Sequence, residues 1–520
     1  MTLGAFRESF TFCRSRGLNL IALAIAALAA YECSELIVQG DPRTVFYAAL
    51  AVGGIGAAVA ILKSWRFGVY LFMVWIMVED MVRKYLGNNM LIYFAKDLLM
   101  LTLCVSFLFS LRLRDKRSYK PPFLVTFLVF FAYCLIQVLN PASKSIFYGL
   151  MGLKLYFFYV PLLVVGYGLA DSEDQVRRFF LFNSVLILVV ATFGIVQSVL
   201  GPTFLNPQVI QEDIRGLSTL YRTSPLTGLV AYRPTSFFVS AGRFANFLLV
   251  SWCLALGFGG FLLMRKQRGR LVGFLTVGAV AAAALMTASR GIFLWVLLTI
   301  AAAISAFLWG ASWRPKQVAR ALRITVRTVV FVALAVTILA VLYPKELGAR
   351  LAIYSETLSP YSPATELGFR SRDYPQQNFL AAFDYPRWPY GYGLGTASLG
   401  VQYVTRLMHA PPMGVGVENG YGQLLIEIGI VGLLLWILLA FRITISAWRA
   451  AKRLKGTPWF PLAFAIFWYI FLIAFPLSFY GFVAYQDFLL NAYFWLMLGI
   501  LFRVSEFSFG SKFTQPLARN

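Results

Sequence analysis

Three charged residues stand just ahead of apolar runs: Arg233 in Tyr-Arg-Pro-Thr-Ser-Phe-Phe, Arg290 in Ala-Ser-Arg-Gly, and Glu418 in Val-Glu-Asn-Gly-Tyr. The first N–H groups of a helix lack intrahelical partners and donate to anions, and the planar guanidinium fork donates to phosphate oxygens as well. Two arginines at helix entrances therefore suit a diphosphate, and a nearby carboxylate suits activation of a hydroxyl. Each has a plainer reading. Arg290 at a hairpin snorkels to a membrane interface, and Glu418, beside the good N-cap Asn419, simply serves a helix entrance.

Further candidates follow from position. Arg243 lies about ten residues beyond Arg233, some way down the same predicted span at about 1.5 Å per residue, and Lys154 sits inside another span in Gly-Leu-Lys-Leu-Tyr. Ionisable groups at such depths face the protein interior or a wet cavity; both reach toward a lipid phosphate or pair with a carboxylate such as Asp97. Lys96 and Asp97 are neighbours that do not face each other on a helix, and no chemical role is assigned to them. The stretch 343–420 carries Arg370, Arg372 and His409 and runs into Asn419 and Tyr421. His409, the one histidine of the chain, titrates near neutrality but has no visible orienting partner.

The same stretch interleaves Tyr374, Phe379, Phe383, Tyr385, Trp388, Tyr390 and Tyr392 with prolines. Such rings suit sugars and suit a membrane interface equally. Gly391-Tyr392-Gly393-Leu394-Gly395 either lets backbone approach a phosphate or forms a turn.

The elements that must position these residues are apolar helices. Of the 520 residues 59% are hydrophobic, and runs long enough to cross the roughly 30 Å hydrocarbon layer recur throughout. The composition predicts an all-α polytopic membrane protein, a single membrane domain over 1–520 with about fourteen spans. These fall at about 18–38, 44–62, 67–82, 91–110, 122–139, 146–169, 178–200, 236–262, 271–288, 291–310, 324–343, 421–441, 458–475 and 488–504. The net charge of +24 would suggest nucleic acid for a soluble chain; here it sorts by membrane side instead. Most of the 46 Lys and Arg collect on one set of short connections, which assigns both termini to the cytoplasm.

Two long extracytoplasmic loops, 201–235 and 343–420, then emerge with the hairpin Thr287–Gly291 on the outer side, the second loop just before helix 12. It is far longer than connectivity requires and carries part of the predicted active site. Cys13, Cys33, Cys104, Cys134 and Cys253 have no metal-ligand spacing and read as core thiols rather than disulfides.

Three ordered elements carry a family resemblance: Arg233-Pro234-Thr235-Ser236-Phe237-Phe238 with Gly242-Arg243-Phe244-Ala245; Leu285-Met286-Thr287-Ala288-Ser289-Arg290-Gly291; and Gly393-Leu394-Gly395-Thr396 with Glu418-Asn419-Gly420-Tyr421-Gly422-Gln423-Leu424-Leu425. Over about 178–445 the chain resembles the O-antigen ligase and O-antigen polymerase superfamily, closest in pattern to exopolysaccharide polymerases. The resemblance implies a GT-C-like, metal-independent glycosyltransferase of the bacterial cytoplasmic membrane that needs no cofactor. Its substrate would be an undecaprenyl-pyrophosphate-linked glycan, with membrane lipid, a chain-length regulator or export proteins as further partners. Arg233 and Arg290 would neutralise the diphosphate leaving group, helped by Arg243, Arg370, Arg372 and Lys154. The ligases carry His then Asn where this chain has Glu418 and Asn419, which assigns the acceptor hydroxyl to Glu418. A ligase that transfers glycan to a lipid or protein acceptor, and a transporter of lipid-linked oligosaccharide, are the alternatives.

Overall fold

In the computed structural model the chain is almost entirely helical. It describes residues 42–86, 90–113, 119–206, 220–265 other than 225 and 226, 269–310, 341–358, and 369–507 other than 399, 402, 403, 406–408, 410, 412 and 482–485, with isolated positions between 323 and 338. The predicted first span, 18–38, and most of the one at 324–343 lie outside these residues.

The chain forms two compact units, Met1–Arg117 and Ser118–Asn520. The first holds α1 (Pro42–Lys63), α2 (Trp65–Leu86) and α3 (Met90–Leu113). Charges buried between α2 and α3 are paired, as burial away from water demands. Lys96 Nζ lies 3.0 Å from Glu79 and Arg83 lies 3.2 Å from Asp80. Lys96 thus has a structural partner one helix away.

The second unit runs α4 (Leu124–Val138), α5 (Ile146–Phe157), α6 (Leu162–Leu169), α7 (Glu173–Leu200), β1 (Tyr221–Thr223), β2 (Val230–Tyr232), α8 (Ala241–Arg265), α9 (Arg270–Met286), α10 (Arg290–Gly310), α11 (Pro344–Leu358), α12 (Tyr374–Leu380), α13 (Gly420–Arg453), α14 (Phe460–Ala474), α15 (Pro476–Phe479) and α16 (Phe488–Phe507). Strands β1 and β2 form one antiparallel hairpin with Tyr221 opposite Tyr232. Among the described residues eight helices are long and apolar enough to cross a membrane, with α5 and α6, and likewise α14 and α15, counted as one. The shorter apolar helices Val52–Lys63, Leu124–Val138 and Arg270–Met286 also fall on predicted spans. Helix α2, predicted to span, is not among the eight; its last two turns carry Glu79, Asp80, Arg83 and Lys84. The molecule is a membrane-embedded helical protein.

Local chemistry explains the helix ends. Ser172 caps α7 by accepting from the Gln175 N–H, Glu173 and Asp174 occupy the first turn, and Gly201 with φ 94° ends it. The continuous span predicted at 146–169 breaks around Pro161, which lacks the N–H an unbroken helix needs. Helix α16 is the innermost, 94% of its apolar window being buried, whereas α10 is peripheral at 17%. Leu298, Ile304 and Leu308 stand exposed on α10, as side chains facing acyl chains do. Helices α6 and α16 meet through glycines: a Cβ on Gly166 would lie 2.2 Å from the Leu496 carbonyl, and one on Gly499 2.0 Å from that of Leu163. Close backbone approach of this kind is how helices associate where no hydrophobic effect drives them together.

Helix α13 is interrupted at Gly429, whose φ of 69° and ψ of −177° are not helical. The segment 389–393 fills the break: Tyr392 N–H donates to the Ile426 carbonyl at 2.8 Å, Gly393 N–H to that of Glu427 at 2.9 Å, and Ile430 N–H to that of Pro389 at 3.2 Å. A Cβ at Gly429 would stand 2.5 Å from the Pro389 carbonyl oxygen. Gly429→Ala is accordingly expected to cost about 1–3 kcal/mol, measured as a lowered unfolding midpoint of the detergent-purified protein; an unchanged midpoint would refute the fit of this segment into the helix break.

Candidate active site

The two arginines are organised by a helix inside the supposed loop. Helix α11 carries Arg350, which is 1% exposed. Its Nε donates to the Met286 carbonyl at 2.9 Å, and its second terminal nitrogen donates to the carbonyls of Tyr232 at 3.1 Å and Ser198 at 3.4 Å. One guanidinium thus ties the ends of α7 and α9 to strand β2. One turn on, the Tyr354 hydroxyl donates to the Leu285 carbonyl at 2.9 Å, and its ring stacks on Phe293 of α10 with centroids 4.6 Å apart. Between them Ala349 and Ile353 pack on Ala231 and Ala288. Residue 288 takes the left-handed conformation, φ 50°, where the chain turns from α9 into α10.

Arg233 follows β2 directly, and its N–H donates to the Leu220 carbonyl at 2.7 Å. The chain beyond it is pinned by Gln197 of α7, whose side-chain oxygen accepts from Thr235 N–H at 2.8 Å and Ser236 N–H at 2.6 Å. Burial draws the Arg233 pKa downward while the Tyr354 phenol opposes that shift. Burial also raises the Tyr354 phenol to about 12, against the pull of the Arg350 and Arg222 guanidinium groups. Arg290 opens α10, and its terminal nitrogen lies 3.6 Å from Glu356 Oε2 at the far end of α11. The Ser224 hydroxyl, just past β1, donates to the other Glu356 oxygen. Arg222, Arg233, Arg290 and Arg350 therefore gather about one helix, and Glu356 of that helix stands against Arg290. The hairpin, the α9–α10 corner and the start of the long loop meet here.

Glu418 belongs to a second cluster. Its carboxylate is exposed and accepts from the Tyr374 hydroxyl; its N–H donates to the Asn378 side-chain oxygen at 3.3 Å. Asn419 caps α13 by accepting from the Gly422 N–H at 2.9 Å, and its buried amide donates to the carbonyls of Phe479 at 2.7 Å and Pro375 at 3.0 Å. Asn419 thus holds α12 and α15 at the mouth of α13, a structural task. The Tyr421 hydroxyl donates to the Ala474 carbonyl at 2.7 Å, so it too fastens helices together. Gly481 packs on the Glu418 carbonyl, and its neighbour Tyr480 meets Trp295 of α10 edge-on at 5.9 Å, about 7.5 Å of helix beyond Arg290. The carboxylate cluster and the arginine cluster are thereby joined through α10.

Several expected positions differ. Arg243 is not deep in its span: α8 begins only at Ala241, and the Arg243 N–H donates to the Ser240 hydroxyl oxygen at 3.3 Å in the first turn. Its guanidinium lies 5.0 Å from the Phe488 ring centre. A few residues along, Asn246 donates to Asp487 at 2.9 Å, and Gln486 donates to Gln423 of α13 at 2.7 Å, so Arg243 sits nearer the Glu418 side than the expected depth implied. Lys154 lies half-buried in the last turn of α5, next to the turn where Tyr156 donates to Glu427 of α13 at 2.7 Å. His409 is exposed in left-handed backbone, φ 51°. Arg372 is exposed in the turn before α12, and the Arg370 side chain lies outside the described residues.

The glycine run 391–395 is the turn rather than a phosphate cradle. A Cβ on Gly391 would lie 2.5 Å from the Glu427 carbonyl, and one on Gly395 2.2 Å from that of Tyr148. The Glu427 carboxylate, fully buried, accepts from the Ala397 N–H at 3.1 Å. The run is spent on holding the loop to α13 and α5. Sequence reasoning missed Arg350, Tyr354, Glu356 and Arg222. A signal was available in Ala349 and Ile353, apolar and four apart, each directly before Arg350 and Tyr354 at the same spacing, which is a helical pattern inside the presumed loop.

Comparison of the chain with protein families, with curated proteins and with solved structures finds no match. The geometry of Arg350 makes its own prediction. Arg350→Ala leaves three buried carbonyls without their donor and is expected to cost about 2–4 kcal/mol, and Arg350→Lys should rescue little because an ammonium lacks the planar fork. Thermal unfolding of both variants in detergent checks this; wild-type midpoints would dismiss the residue as an organiser.

Proposed function

We propose that the chain is a membrane glycosyltransferase that polymerises undecaprenyl-pyrophosphate-linked oligosaccharide units into a surface polysaccharide. The observation that carries this reading is the gathering of four guanidinium groups, those of Arg222, Arg233, Arg290 and Arg350, about α11. Clustered guanidinium groups are suited to a dianion, and a lipid-linked glycosyl diphosphate brings two negative charges to that place. The motifs that supply Arg233 and Arg290 are the ones that carry the family resemblance.

In the proposed reaction an acceptor sugar hydroxyl attacks the anomeric carbon of the donor. The new carbon–oxygen bond forms as the bond to the diphosphate breaks, the electron pair leaves with the diphosphate, and the hydroxyl proton passes to Glu418. Arg233 and Arg290 stabilise the charge that develops on the leaving group, a contribution that grows toward the transition state. Tyr374, which donates to Glu418, orients that carboxylate. The enzyme works from the cytoplasmic membrane, with both termini inside and the two clusters facing outward.

Two tests follow. Arg290→Ala and Glu418→Ala, each shown to insert normally, are expected to abolish long chains in the native host while single repeat units are still exported, with a loss of about 100-fold or more in polymer for Arg290→Ala. Unchanged chain length in both would eliminate the enzyme, and lipid-linked units stranded on the cytoplasmic face would favour transport. For the orientation, single cysteines placed at exposed Arg372 and at Lys452 in an otherwise cysteine-free chain should react with an impermeant maleimide in intact cells at 372 alone. Labelling at 452 alone would invert the topology.

A further inference from the structure

The two oxygens of Glu356 are treated differently. The residue is 6% exposed; one oxygen accepts from Ser224, which is itself within 2.7 Å of the Thr227 hydroxyl. The other, Oε2, accepts no hydrogen bond among the described residues. It faces the Arg290 terminal nitrogen at 3.6 Å, an ionic contact longer than a hydrogen bond. Buried carboxylate oxygens are normally supplied with donors, because the water they leave behind supplied them. Among the described residues this one faces the Arg290 guanidinium without a hydrogen-bond donor.

A ligand seated between Arg290 and Glu356 is served best by negative charge toward the guanidinium and a hydroxyl toward Oε2. A bare diphosphate meets the first need and violates the second, since its own charge then stands against the carboxylate. A sugar attached to the diphosphate meets both, because its hydroxyl groups lie next to the phosphate and are neutral donors.

Building on the proposed function, we infer that Glu356 Oε2 accepts a hydrogen bond from a hydroxyl of the sugar that bears the diphosphate. Glu356 is then a specificity-determining residue that separates the glycosylated lipid from the bare lipid diphosphate left after transfer. Ser224 keeps the carboxylate turned for that contact. Once the glycan has moved to the acceptor, the hydroxyl is gone and the leaving diphosphate carries one more negative charge. The same carboxylate that held the substrate then repels the product, which favours release.

The test uses the full-length protein in lipid nanodiscs and two probes, undecaprenyl diphosphate and the lipid-linked oligosaccharide extracted from host cells that lack this protein. Wild type is expected to bind the glycosylated lipid about 10- to 100-fold more tightly than the bare one, the range of a hydrogen bond to a charged group. Glu356→Gln should bring the two affinities within about threefold by weakening the first and tightening the second. Glu356→Asp, which keeps the charge but withdraws the oxygen by one carbon, should weaken the glycosylated lipid alone, and it serves if the Gln variant does not fold. Full discrimination retained in either variant, or an equal shift for both probes in Glu356→Gln, overturns the role of Glu356. Failure of wild type to bind either lipid, or Arg290→Ala binding both as wild type does, overturns the underlying glycosyltransferase reading instead.

Discussion

The arginine cluster depends on one buried guanidinium. Arg350 gives its hydrogen bonds to three carbonyls that belong to the ends of α7 and α9 and to β2. Helix ends leave carbonyls without intrahelical partners, and in a membrane protein no water stands by to take them. A planar cation with several donors meets that need at a stroke, and in doing so it sets the spacing of the segments that bear Arg233 and Arg290. Arg233 and Arg290 stand beside the fastening, which is why a buried residue on another segment governs where they are.

The carboxylate cluster is built on a different device. Helix α13 opens at Asn419, whose side chain serves the helix with its oxygen and α12 and α15 with its amide. Nearly three turns later the helix breaks at Gly429 and takes in the loop 389–393. The loop hydrogen-bonds to carbonyls of α13, while Gln137 and Asn140 of the neighbouring helix end hold the carbonyls of Tyr390 and Gly391 at 3.1 and 3.2 Å. Irregular backbone among apolar helices is tolerable when its polar groups are met in this way. Glu418 gains a fixed address at the surface, with Tyr374 and Asn378 for neighbours, and its side chain stays exposed.

Amphipathic pattern within a presumed loop proved as informative as the long apolar runs. Ala349 and Ile353 face Ala231 and Ala288, and the same helix turns Arg350, Tyr354 and Glu356 to three different partners. Reading 343–420 as a connection hid this, because hydropathy weighs a helix of mean polarity as loop. The depth of Arg243 was misjudged for a related reason: apolar Phe237 and Phe238 extend the hydrophobic run, while Ser240 provides the cap at which the helix starts. A capping residue outranks a hydrophobic one in deciding where a helix begins.

By itself the sequence determined that the protein lives in a membrane and is helical, because lipid can accommodate only backbone that bonds to itself and apolar runs are a local property. It also marked the helix entrances at Arg290 and Asn419, since caps and turns are written in neighbouring residues. Only the tertiary structure decided that Arg350 joins three distant segments, that Glu356 faces Arg290 and that the 391–395 glycines close onto α13. Those pairings span up to 152 positions of chain, and which carbonyl a buried donor satisfies is settled by packing, about which local composition carries no information.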